Sequence, residues 1–149
     1  MILPDFKAFP RTGRIMGIDW GARRTGVAVT DASREFVFAR AAIVLRRGDD
    51  TWARQIADLA AAEKVVGIVI GLPVHGDGTE SETATLVRTN AAQICTYSDL
   101  PIVFIPENLT SVAAQESMGR VRRSDIKQRL DSEAARVILE NAIAVIRRL

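Results

Sequence analysis

The chain has 149 residues, enough for one domain of ordinary size and too few for two well-packed ones. Apolar residues make up 48% and charged residues 26%, proportions that exclude wholesale disorder. The 20 Lys and Arg against 18 Asp and Glu leave a formal net charge of +2, and only Lys7, Lys64 and Lys127 among the cations are lysines; the arginine bias suits an anionic partner and is equally what GC-rich coding produces.

Residues 1–13, punctuated by Pro4, Pro10 and Gly13, read as a flexible lead to a single domain over residues 14–149. Arg14 to Asp19 reads as a buried first strand that ends on an acid, and Gly21 supplies a turn. Thr25 to Thr30 and Phe36 to Leu45 read as two more strands. Links this short imply an antiparallel meander, because parallel neighbours need long crossovers. Thr51 to Glu63 then changes period, with Trp52, Ile56, Leu59 and Ala60 at helical spacing and Asp50 or Thr51 as N-cap. Val65 to Ile70 is a continuous apolar run that suits a central strand covered on both faces, with Gly71-Leu72-Pro73 as its stop. Glu80 to Tyr97 reads as a second helix and Pro101 to Ile105 as a fifth strand. Thr110 to Met118 reads as a short helix, Gly119 to Leu130 as a basic segment, and Asp131 to Leu149 as a last helix. The expected fold is α/β: a mixed five-stranded sheet, three antiparallel strands followed by alternating helix and strand, with helices on its faces.

Cys95 is the only cysteine, so an intrachain disulfide and a cysteine-ligated metal cluster are excluded, and a buried small hydrophobe is its expected role. No stretch reads as a signal peptide or as long and apolar enough to span a bilayer, so a soluble, cytoplasmic protein with no membrane partner is expected. No heptad repeat indicates an oligomeric state.

Charge is uneven. Residues 120–129 hold five cations against Asp125, a net +4, while residues 75–119 hold six acids against Arg88 alone, a net −5. A metal-using enzyme with a polyanionic substrate needs both regions; a solvated loop beside a solvated helix gives the same count. Three acids stand at element ends. Asp19 closes the first strand, where a lone buried carboxylate is costly unless paired or bound to a cation. Glu107 follows the fifth strand, and Asp131 opens the last helix. Singly, each has an ordinary explanation: a turn cap, a charged loop residue and a helix N-cap. Together they sit at ends that such a sheet could bring together. Hard oxygen ligands of this kind suit Mg²⁺, and two such ions can activate water in phosphodiester cleavage, but ligands so distant in the chain follow no spacing rule that would prove it.

The stretch Gly17-Ile-Asp-Trp-Gly-Ala-Arg-Arg-Thr-Gly-Val-Ala-Val-Thr-Asp31 resembles the opening motif of the YqgF/RuvX family, within the ribonuclease H-like superfamily of nucleases. The resemblance continues through Gly71-Leu-Pro73, Asp77-Gly78 and Glu80, then Glu107, Leu109 and Thr110, and ends at Asp131 with Ala134-Ala135. It implies a ribonuclease H-like fold and a nuclease of structured nucleic acid. Members are linked to maturation of the 5′ end of 16S ribosomal RNA on ribosomal precursors, and similar folds resolve Holliday junctions. By position, Asp19, Glu107 and Asp131 would be the catalytic, metal-binding acids, with Mg²⁺ or Mn²⁺ as cofactor. Arg23, Arg24, Thr110, Arg122 and Arg123 would meet the substrate, the arginines through its phosphates.

Two departures stand out. The family's Asp-Glu-Arg before Leu-Thr is here Pro106-Glu107-Asn108, and Val74-His75-Gly76 stands where Asn-Met is more usual before Asp-Gly. His75, the only histidine, is expected at the surface, and Asp77-Gly78 is expected to form a β-turn. The leading expectation is a metal-dependent endonuclease acting on precursor 16S rRNA. Resolution of branched DNA uses the same chemistry. A non-catalytic nucleic-acid-binding or ribosome-assembly protein is the reading that Pro106 and Asn108 motivate. A sugar-kinase or actin-like ATPase shares Gly17-x-Asp19-x-Gly21 but normally pairs two such domains.

Overall fold

The computed structural model describes residues 1–107 and 123–149, with side chains described for 1–107 and 133–149. Its strands are β1 (Ile15–Asp19), β2 (Arg24–Thr30), β3 (Val37–Val44), β4 (Gly67–Pro73) and β5 (Ile102–Glu107), and its helices are α1 (Trp52–Ala62), α2 (Glu82–Ile94) and α3 (Arg123–Arg147). The strands form one mixed sheet in the order β3-β2-β1-β4-β5. The short links make β1–β2 and β2–β3 antiparallel, while the helical crossovers make β1–β4 and β4–β5 parallel. The expected mixed five-stranded architecture is therefore the observed one.

The alternation of side chains along each strand divides the interior in two. Met16, Ile18, Ile68, Ile70 and Leu72 face α1 and α2, whose Trp52, Ile56, Ala84, Val87 and Ile94 cover them. Ile15, Val69, Val103 and Ile105 face α3, which brings Ala135, Ile138, Leu139 and Ala142. Both faces of β1 and β4 are buried, which explains their nearly unbroken apolar runs.

Three expectations are corrected. Residues 1–13 are not a loose lead. The Leu3 N–H donates to the Ile102 carbonyl at 2.8 Å, and Phe6 and Phe9 meet edge to face inside the α3-side core. Burying two phenyl rings stabilises by about 2 kcal/mol each, enough to hold a segment without regular structure. Arg34 adds a clamp: its buried guanidinium donates to the carbonyls of Pro10 and Gly13, both at 2.7 Å.

The tripeptide Gly71-Leu72-Pro73 does not stop β4, which runs through Pro73, and β5 correspondingly runs on to Glu107. Pro106 is tolerated because β5 lies at the sheet edge. Finally, the last helix begins at Arg123 rather than Asp131, so Asp131 is not an N-cap. Ile126 and Leu130 keep the helical spacing, and neither Gly nor Pro interrupts residues 123–147. The expected helix at Thr110 to Met118 lies outside the described residues.

Candidate active site

Asp19 is the last residue of β1 and shares the α3-facing side with Ile15 and Gly17. Glu107 is the last residue of β5 and shares that side with Val103 and Ile105. Strand β4 lies between them, with Ile70 level with Ile18 and Pro73 level with Glu107. The two carboxyl groups meet across it. Burial, then the negative charge of Asp19, then a hydrogen bond between the two groups push the Glu107 carboxyl up to about 8. Glu107 is thus an acid that keeps its proton at neutral pH and shares it with Asp19.

Gly71 makes this meeting possible. A Cβ at Gly71 would lie 2.6 Å from Oε2 of Glu107 and 2.5 Å from Cδ1 of Ile138 on α3. Any side chain there would displace the carboxyl or lift the helix. Gly17 plays the matching part on β1: a Cβ would lie 2.5 Å from Cγ of Leu139 and 2.9 Å from the Ala135 carbonyl oxygen. The two glycines let α3 lie directly on the central strands. Sequence reading missed both roles, taking Gly71 as a stop. The signal was present, since an isolated glycine inside a strand marks a close approach.

The direction of α3 bears on the third expected acid, Asp131. Arg147, at the end of the helix, reaches the Arg34 carbonyl at 3.5 Å, and Arg34 binds Gly13 just before β1. The helix therefore runs back along β1, and its earlier turns lie toward the Asp19 end. Asp131 is one turn before Ala135, the residue against Gly17. Its backbone is helical and its side chain lies outside the described residues, as does that of Arg123 at the helix start. Thr110 and Arg122 lie wholly outside the described residues. Among the described residues no cluster of three or more His, Cys, Asp and Glu is gathered.

Arg23 and Arg24 lie at the end of the β1–β2 turn, beside the Asp19 end of the sheet. Arg23 is exposed, and its carbonyl accepts the Leu45 N–H at 2.8 Å; Arg24 begins β2 and is level with Val44. The turn is anchored from beneath by a buried hydrogen bond, Nε1 of Trp52 to Oγ1 of Thr25 at 2.9 Å. Asp77 is committed to its own turn, as expected. Its Oδ1 accepts from the N–H and Oγ1 of Thr79, at 3.0 and 2.7 Å, which holds its pKa below the usual carboxylate value. Gly78 follows with φ +86°, and exposed His75 closes the turn through its backbone.

The departure at Pro106 takes on a definite meaning here. Alternation puts residue 106 on the opposite face from Glu107, with Leu72 and Phe104. An acid at this position would not stand beside Asp19, so Pro106 removes no member of the carboxyl pair. Asn108 lies outside the described residues.

A five-stranded mixed sheet in this order, with acids at the ends of its first and last strands, defines a ribonuclease H-like protein. Solved structures agree on the fold. Thermus thermophilus RuvC, in complex with a Holliday junction substrate, superposes with a TM-score of 0.54 at 10% identity, covering 91% of this chain and 96% of that one. The fowlpox virus Holliday junction resolvase gives 0.52 at 11% identity, covering 91% and 99%. The sequence narrows the class further. A family profile described as "RuvX: Holliday junction resolvase" matches residues 13–144. A Maridesulfovibrio salexigens protein, named as a candidate pre-16S rRNA nuclease, is 35% identical over 133 residues, 88% of this chain and 98% of that protein. A Rhodopirellula baltica protein of the same name is 35% identical over 142 residues, 93% and 81%. The chain belongs to the RuvX family.

Proposed function

We propose that this protein is a metal-dependent endonuclease of structured nucleic acid that trims the 5′ end of precursor 16S rRNA in the cytoplasm, acting on ribosomal precursor particles. The observation that carries the reading is the meeting of the Asp19 and Glu107 carboxyl groups at the strand ends. Two half-buried acids forced together are unfavourable for stability and useful for binding a cation. The names carried by the relatives support the choice of substrate.

The donor set suits a hard divalent ion: two carboxyl groups, and a third acid in Asp131 on the helix that crosses them. Asp19, Glu107 and Asp131 would hold Mg²⁺ or Mn²⁺. When bound, such an ion supplies Lewis acidity, lowering the pKa of water and offsetting charge at the reacting phosphate. The chain's own groups do the rest. To hold the ion, Glu107 would release to solvent the proton that it shares with Asp19, which would leave the pair fully anionic. Gly71 keeps the space that the Glu107 carboxyl occupies, and α3, seated on Gly17, fixes where Asp131 starts from. Arg23, Arg24, Thr110, Arg122 and Arg123 would contact the nucleic acid, the arginines holding its phosphates without reading sequence. No helix among the described residues is long and apolar enough to cross a membrane.

The test is Asp19→Asn, assayed on a precursor 16S rRNA 5′-end substrate in Mg²⁺ and in Mn²⁺. Cleavage should fall on the order of a hundred- to a thousandfold while circular dichroism stays native; undiminished turnover would end the mechanism. The description of the matching family favours a second reading, resolution of branched DNA. Competition between the RNA substrate and a four-way DNA junction decides between them, and a strictly monomeric protein counts against a resolvase. Binding of RNA without cleavage of any substrate would favour a ribosome-assembly factor.

A further inference from the structure

The C-terminal ends of β4 and β5 carry a second feature, on the face turned away from the carboxyl pair. A cleft of about 530 Å³ opens there, floored by Leu72, Val74, Phe104 and Pro106 and walled on its far side by Leu3 and Pro4. It is continuous with the acid site through the backbone. Pro106 immediately precedes Glu107, and the Glu107 carbonyl accepts the Val74 N–H at 3.1 Å. Arg88 stands at the rim. Its guanidinium carbon lies 5.0 Å from the centre of the Phe104 ring, and its Nε and Nη2 donate to the two carboxylate oxygens of Glu80 at 2.8 and 3.0 Å. The bidentate grip fixes the guanidinium over the ring. Arg88 is also the only Lys or Arg between residues 75 and 119, and it lines the same cleft as Pro106, the residue before Glu107.

We infer that this cleft is a nucleotide subsite, taking the base of a nucleotide that adjoins the cleaved phosphate, with Arg88 as its stacking surface. The inference rests on the nuclease reading for its ligand. Three features select a nucleotide. An apolar floor with a polar rim, the ion-paired Arg88 and Glu80, matches a base joined to a hydroxyl-bearing sugar. A guanidinium pinned on a phenyl ring offers a flat cationic face, on which any base stacks. The volume suits a single nucleoside and leaves no room for a duplex. Pro106 sharpens the point, because the Asp of the family pattern at this position would put a negative charge on the floor, and proline leaves it apolar. A strand passing over the ends of β4 and β5 would present one phosphate to the carboxyl pair and a neighbouring base to the cleft.

The experiment uses the Asp19→Asn full-length chain in EDTA, so neither cleavage nor metal enters the readout. Short single-stranded oligonucleotides carry 2-aminopurine at each position in turn, as ribo- and deoxyribo-series that tell which nucleic acid supplies the base. One position should brighten on binding, because its base leaves the quenching stack of its own strand for the cleft. Arg88→Met should abolish that rise and weaken binding about tenfold, and Phe104→Leu should weaken it by a smaller factor. A base that brightens at no position, or an affinity unchanged in both variants, overturns the subsite. Failure of the nuclease reading would show separately, as turnover that survives Asp19→Asn in Mg²⁺.

Discussion

The two ends of the sheet treat a glutamate in opposite ways. At the end where β1 begins, Glu63 closes α1 and lies between Arg14 and Arg40, with salt bridges of 3.1 and 2.9 Å. At the end where β1 finishes, Glu107 faces Asp19 and is pushed up to about 8. Glu63 is satisfied within the fold: its two arginines come from β1's approach and from β3, and tie α1 to the sheet. Glu107 is left with a like neighbour and a partly buried carboxyl. The difference teaches which acid the fold uses for itself and which it holds ready for a partner. Paired opposite charges at a surface contribute modestly to stability. Paired like charges detract from it, and mark a place where a cation or proton is expected to arrive.

The largest effect should come from breaking the carboxyl pair. Asp19→Asn should lower cleavage on the order of a hundred- to a thousandfold. Because burial is the first cause of the Glu107 shift and Asp19 the second, the same variant should bring the Glu107 pKa only part of the way back toward 4.5. Carbon-13 NMR of the Glu107 carboxyl reads that directly, and a complete return would show that burial counts for little.

Gly71→Ala leaves both acids in the chain and removes the space between them. Divalent-ion affinity by calorimetry should fall about ten- to a hundredfold, the size of a supporting-residue effect at a metal site. Overpacking against Ile138 should cost about 1–3 kcal/mol in denaturant unfolding. A variant with unchanged affinity would mean that Glu107 holds its position without Gly71.

The shared proton gives a pH dependence of known sign. The folded-state pKa of Glu107 lies above the unfolded value, so the folded state keeps a proton that the unfolded chain releases. Its contribution is fully present below about 4.5 and is lost as pH rises to about 8, by at most about 1.4 kcal/mol per pH unit for one proton. Thermal melts across this window should show the loss, and Mg²⁺ should reverse it at the alkaline end by stabilising the ionised pair. A Mg²⁺ effect that does not grow with pH would separate the carboxyl pair from the metal site. The smallest effect belongs to the opposite end. Glu63→Gln should destabilise by about 1 kcal/mol and leave cleavage within about twofold, because the bridges it removes are partly exposed and stand at the opposite end of β1 from the acids.

Much of this molecule was legible along the chain. The period-two and period-3.6 patterns locate the strands and helices of the sheet, since apolar spacing follows from which faces are covered. Link lengths decide which strands run antiparallel, and Asp19 at the close of an apolar run announces a costly charge near the core. Element ends were less legible. Gly71 and Pro73 act as breakers in an isolated segment, but β4 is paired with β1 as far as Ile70 and with β5 through Pro73, and the β5 ladder carries it on. The same extension made Glu107 a strand residue with a fixed facing. The start of α3 was misplaced because a basic, weakly apolar segment gives a poor amphipathic signal, although its spacing is helical.

Only the tertiary structure decided what meets what. That Asp19 and Glu107, 88 positions apart in the chain, share a proton depends on β4 lying between their strands, and on a missing side chain at Gly71. That residues 1–13 pack rather than trail depends on a hollow above Gly67, into which Phe9 fits. Local propensities act within a few residues and are written in the order of the amino acids. Shared protons, excluded methyl groups and filled hollows are properties of distances between remote residues, and these exist only once the chain has folded.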